Sequence, residues 1–236
     1  MTLLTLAHAT KRFTSGQRET LALDDVSLEL AAGECVAVYG LRRSGRTTLL
    51  RVAAGILPLD AGEATFDGRG LRGPGAALGI EIGWCSPRFD PAHGGTVADH
   101  VAVAALARGG GRTRAAAQAA AALARAGAED CAGYDPRELH AGELVRAGVA
   151  RALVTSPRLL LLDEPTSGVG PVERDALLAL LRALADEGAA VLMTVGEPIP
   201  GADRVLTLDG GRLRTDRVTD AAPVLPLRPR HAEPVA

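Results

Sequence analysis

The chain has 236 residues, 47% of them hydrophobic, and a formal net charge of -2. It can bury one sizeable core, as a single domain or a domain with a small insert, and its charge argues against a protein that coats nucleic acid. Its amino terminus, MTLLTLAHATKRF, lacks a signal peptide's basic start and apolar core, and no run of about 18 apolar residues spans a bilayer, so a cytoplasmic chain is expected.

Taken in chain order, residues 3–13 and 21–30 alternate apolar and polar around a polar turn at 15–19, which predicts an antiparallel β layer. Residues 34–40, ECVAVYG, read as a buried strand. From Gly40 the run GLRRSGRTTLLRVAAG follows as a glycine-punctuated turn opening into a helix. Gly40, Gly45 and Thr47 fall on the phosphate-loop pattern G-x-x-x-x-G-K-[ST], with Arg46 in place of the lysine. Such a loop works because successive backbone N–H groups and a helix amino terminus converge on phosphate, with a cation and a hydroxyl completing the cradle. Lys11 is the only lysine of the chain, so arginine is its usual cation everywhere.

Residues 63–66 predict a short strand before Asp67-Gly68. Between 94 and 132 the composition turns to alanine with interspersed arginine, broken at Gly109-Gly110-Gly111, which predicts helices joined by a flexible turn. Residues 139–171, LHAGELVRAGVARALVTSPRLLLLDEPTSGVGP, join a helix start to a strand that is apolar on both faces at 159–162 and ends in Asp163 and Glu164. In an open α/β sheet that end is where ligands bind, so one carboxylate can hold Mg²⁺ and the next can orient a water. A helix at 171–187 and strands at 190–195 and 204–208 complete the pattern. Residues 221–236, proline-rich, predict a disordered tail. Cys35, Cys85 and Cys131 are dispersed and form no CxxC, which predicts buried reduced thiols rather than a zinc or redox site.

The two motifs, in this order, resemble the nucleotide-binding subunit of an ABC transporter over residues 3 to about 218. The resemblance implies an α/β P-loop ATPase of the ABC type, with a parallel sheet core, an antiparallel β layer and a helical subdomain inserted at about 88–156 of a domain spanning 1–220. It implies ATP and Mg²⁺ as ligands, with Phe13 stacking on adenine and Gly40, Arg43, Ser44, Gly45, Arg46, Thr47 and Thr48 cradling the phosphates. Thr47 and Asp163 would hold the metal, and Glu164 would polarise the attacking water. LHAGE stands at the family signature, so His140, Ala141, Gly142 and Glu143 would face a partner's nucleotide. The implied partners are a transmembrane transporter subunit and a second nucleotide-binding subunit, in a heterodimer or alternatively a homodimer, with the chain peripheral on the inner face of the cell membrane; no nucleic acid is expected.

The departures from the family pattern predict a degenerate site. Besides Arg46 for lysine, Arg43 stands where glycine is usual, Pro87 at the glutamine-loop glutamine, Gly170 at the D-loop aspartate and Gly196 at the switch histidine. In the signature His140 replaces serine, Ala141 the first glycine and Glu143 the glutamine. Groups that sense the γ-phosphate are lost, while Thr47, Asp163 and Glu164 remain, so nucleotide binding is expected to outlast hydrolysis. A fully active transport motor and a non-transport interaction protein built on the same fold stay open as alternatives.

Overall fold

The computed structural model describes residues 1–16, 18–71, 81–86, 89, 94–109 and 111–214. The chain opens with β1 (Thr2–Ser15) and β2 (Arg18–Ala31), a long antiparallel pair in which Thr2 faces Ala31 and Ser15 faces Arg18. Leu4, Leu6, Leu23, Val26, Leu28 and Leu30 all turn inward, the period-2 pattern of a sheet with one buried face. After β3 (Cys35–Tyr39) and α1 (Arg46–Ala53), the chain returns to this layer as β4 (Ala61–Phe66) and β5 (Arg69–Gly70), giving the order β2-β1-β4-β5.

The second sheet adds β6 (Ile82–Cys85), β7 (Leu159–Asp163), β8 (Ala190–Val195), β9 (Arg204–Asp209) and β10 (Arg212–Arg214), in the order β10-β9-β3-β8-β7-β6. Its pairings are parallel except at the β9/β10 hairpin. Every residue of β7 and β8 is buried, which is why their sequences are apolar on both faces. On one face Val36, Val38, Leu159 and Leu161 pack with Leu49, Leu50 and Val52 of α1 and with the antiparallel layer. On the other, Ala37, Leu160, Leu162 and Met193 pack with four further helices, α2 (Val97–Leu106), α3 (Arg112–Arg125), α4 (Ala141–Leu153) and α5 (Pro171–Asp186).

The helices start and stop where local chemistry allows. Thr96 and Asp99 cap α2 reciprocally, each side chain accepting the other's backbone N–H. In α3, Ala115, Ala119 and Ala122 form a buried stripe at helical spacing, and alanine there lets α3 lie close to α2 and α4. The parallel α/β core, antiparallel layer and helical group agree with the fold class expected from sequence. Residues 215–220 and the predicted tail at 221–236 lie outside the described residues.

Register decides where the site forms. Tyr39 lies beside Val195 and Thr194 beside Asp163, so β3, β8 and β7 end level with one another. The loops after Tyr39, Val195 and Asp163 therefore leave the sheet at one edge, with β8 between the phosphate-loop strand and the carboxylate strand.

Candidate nucleotide-binding site

Residues 40–45 form a tight loop between β3 and α1. The Gly40 N–H donates to the Val195 carbonyl at 3.3 Å and Ser44 N–H to the Leu41 carbonyl at 3.1 Å. Gly45 caps α1 at φ 108°, and a Cβ there would sit 2.2 Å from the Ala22 carbonyl oxygen, so glycine is the residue that fits. No side chain caps α1, which leaves its first-turn N–H groups directed out of the helix. Arg43 holds φ 66°, the left-handed backbone that glycine usually supplies in this loop, and its side chain is exposed. Among the described residues, two buried polar atoms of the loop and the first turn of α1 lack a hydrogen-bond partner: Ser44 Oγ and Arg46 Nη1. Orphaned donors beside an uncapped helix start are what an anion would satisfy, so the residues present fit the phosphates of a nucleotide.

Arg46 reaches away from the loop and across the strand ends. Its Nη2 donates to Glu164 Oε1 at 2.6 Å, an ion pair with side-chain exposures of 7% for Arg46 and 36% for Glu164. Its Nη1 lies 3.7 Å from where a Cβ on Gly196 would stand. Glu164 itself adopts φ 49°, and its N–H donates to Thr194 Oγ1 at 3.0 Å. The same hydroxyl donates to Asp163 Oδ1 at 2.8 Å. Thr194, fully buried, thus fixes the backbone of one carboxylate and the side chain of the other. Sequence reading missed it; its signal was a lone hydroxyl in the otherwise apolar AVLMTV of β8.

Thr47, in the first turn of α1, and Asp163, at the end of β7, are an oxygen donor set of the kind that holds Mg²⁺ together with substrate phosphates. Thr48 follows in the same turn and is half-buried. Phe13 lies near the far end of β1, opposite Thr20, with its ring 42% exposed and the Lys11 ammonium 5.9 Å from the ring centre. The sheet end carrying Phe13 runs beside the loop, since Ala22 touches Gly45 and the Gly211 N–H donates to the Ser44 carbonyl at 3.1 Å.

The structure brings together Gly40, Ser44, Gly45, Arg46, Asp163, Glu164 and Gly196. It places the signature residues elsewhere. His140 occupies the cap position of α4, and its N–H donates to Glu143 Oε2 at 2.8 Å, so Glu143 is engaged in holding the helix start. Gly142 is buried against the carboxylate of Glu173 from α5, which a Cβ would meet at 2.9 Å. Gly170, at the D-loop position, is the cap of α5. An apolar groove of about 460 Å³ between α3, α4 and α5, lined by Val145, Val169, Val172 and Leu177, lies on the opposite face of the sheet from α1. Pro87 lies outside the described residues. Among the described residues no helix is long and apolar enough to cross a membrane.

Comparison with known proteins then decides the family. The family model described as ABC transporter matches residues 23–167, more than half of the chain. The chain belongs to the ABC transporter family. The lipoprotein-releasing system ATP-binding protein LolD of Chromohalobacter salexigens is 38% identical over 216 residues, covering 88% of this chain and 91% of that protein. The aliphatic sulfonates import ATP-binding protein SsuB of Ralstonia nicotianae is 39% identical over 234 residues, covering 98% of this chain and 76% of that protein. In fold, the chain is similar to the ATP-binding cassette MJ0796, solved as a dimer in a post-hydrolysis state with ADP and Pi, at a TM-score of 0.80 and 23% identity over 92% of this chain and 99% of that one. This member of the ABC family is an ATP-binding subunit.

Proposed function

We propose that this subunit holds Mg-ATP in its own phosphate loop with weak or absent hydrolysis, and couples nucleotide binding to a transmembrane partner through its helical subdomain. The observation that carries the reading is the 2.6 Å pair between Arg46 and Glu164. A carboxylate oxygen engaged in a charge-assisted hydrogen bond to a fixed guanidinium must give up that pair before it can take a proton from water. Gly196 offers no imidazole to the γ-phosphate, and arginine is not a neutral exchange for lysine at a crowded phosphate site, because its planar fork reaches further. Binding is supported by what remains: the helix start, the buried Ser44 hydroxyl, the Arg46 guanidinium, and Thr47 with Asp163 for the metal. When bound, Mg²⁺ would neutralise charge on the phosphates there.

The second nucleotide-binding subunit is proposed to be a different chain. Its phosphate loop would meet the LHAGE turn of this one, where Gly142 and the start of α4 still offer N–H groups. If one site of the pair turns over, that composite is the favoured one, while the site on this chain keeps nucleotide and stabilises the sandwich. The chain would then lie on the inner face of the membrane, held by its transmembrane partner.

Steady-state phosphate release with saturating Mg-ATP tests the reading, comparing wild type with Glu164→Gln in the isolated chain and in the complex. Release from this chain's pocket is expected to be near background and unchanged by the substitution. A large loss on Glu164→Gln would show that Glu164 is a working base.

A further inference from the structure

The glycines of the phosphate loop and Gly196 are there for different reasons. Gly40 and Gly45 are enforced by backbone, since a Cβ would lie 2.5 Å from the Leu208 carbonyl oxygen in one case and 2.2 Å from that of Ala22 in the other. Gly196 has no left-handed φ, and the one atom within 4 Å of a Cβ built there is Arg46 Nη1, at 3.7 Å. Backbone geometry would accept a side chain at 196. What a longer side chain would meet first is the guanidinium.

Arg46 is 6% exposed, and among the described residues Nη1 is buried without a hydrogen-bond partner while Nη2 is held by Glu164. Leaving a buried charged donor unpaired is costly, so a ligand acceptor is the expected complement. The second orphan in the same loop, Ser44 Oγ, lies at the opposite end of Gly45 from Arg46 in sequence and is buried to the same degree. Ser44 Oγ lies at the Gly40 end of the loop and Arg46 Nη1 beside Gly196, where a strand end meets it.

From this we infer that Arg46 occupies the post that the family gives to the switch histidine as well as the one it gives to the lysine. The glycine at 196 is the complement that makes room for it. Nη1 is the donor to the terminal phosphate of a bound nucleoside triphosphate, and Nη2 keeps Glu164 in its ion pair. The site therefore distinguishes triphosphate from diphosphate while leaving the triphosphate intact. The inference rests on the proposal that ATP occupies this loop.

Calorimetric titration of the full chain with Mg-ATP and with Mg-ADP tests it, in wild type, Gly196→His, Arg46→Lys and the double variant. A charge-assisted hydrogen bond to one phosphate is worth about tenfold or more in affinity. Wild type is expected to prefer ATP over ADP by about that factor, and Gly196→His to erase the preference by lowering ATP affinity more than ADP affinity. With Arg46→Lys in place, the same Gly196→His change should instead raise the preference, because the imidazole then has room to reach the phosphate. Gly196→Ala, whose Cβ stands at ordinary contact distance, should leave the preference as in wild type; Gly196→Val repeats the test if the histidine variant does not fold. Equal ATP and ADP affinities in wild type, or the same effect of Gly196→His in both backgrounds, would overturn the inference alone. No ATP binding by wild type would overturn the proposed function with it.

Discussion

Arg43 holds a left-handed φ of 66° with an exposed side chain, at the place where the family usually has glycine. An L-residue in that conformation costs about 1–2 kcal/mol, and glycine would return about 0.4–1 kcal/mol of that through the freedom it adds to the unfolded chain. Arg43→Gly is therefore expected to stabilise the protein by about 0.5–1 kcal/mol, a rise of about 1–4 °C in thermal midpoint by calorimetry. A lower midpoint would mean that the guanidinium contributes more than the backbone conformation costs. Arg46 stands three residues on and shows where reading single residues stops. Its chemistry was legible as a cation on a phosphate loop, but its pairing with a carboxylate 118 residues away was not, because that contact is made by register between strands that alternate with helices along the chain.

Elements with strong patterns were legible and short ones were not. The four leucines that open β7 and the alternating β1 and β2 announced themselves, and α5 was expected to begin at Pro171, where a proline suits the first helical turn. Residues 82–85 are only four long and contain a glycine, and no strand was expected there; they form the edge strand β6. The joints between elements carry a pH signature. Asp203, ahead of β9, accepts the Cys35 N–H at 2.8 Å and Arg182 Nη1 at 2.5 Å, tying β9, β3 and α5 together. Burial pushes its carboxyl upward, but the Cys35 N–H and the Arg182 guanidinium outweigh this and hold it below the ordinary 3.8. A carboxylate lowered on folding contributes stability that is present above its unfolded value and is lost as pH falls through its folded one. Urea midpoints should thus fall as pH drops below about 4, and fall less steeply in Asp203→Asn. The flattening should be partial, because Asp60, Asp67, Asp99 and Asp130 are also held low, by hydrogen bonds at the surface. Identical acid limbs would show that Asp203 is not a determinant.

On the scale of the whole molecule, the sheet separates two faces, which under the proposed function would serve different nucleotides. The phosphate loop and α1 pack on one face, while α4, which begins at the signature turn, packs on the other among α2, α3 and α5. The order of motifs made this architecture legible, because strand, loop, helix and carboxylate strand admit few arrangements. The state of the site was less so: the glycines at 170 and 196 were visible as letters, whereas the approach of Arg46 to Gly196 needed the level ends of β3, β8 and β7. Under the proposed function this site retains ATP without turning it over. The most direct measurement is to incubate the full chain with Mg-ATP, remove free nucleotide by rapid desalting and identify what stays bound. Intact ATP persisting over many minutes is the predicted result; prompt, stoichiometric conversion of the bound nucleotide to ADP would contradict it.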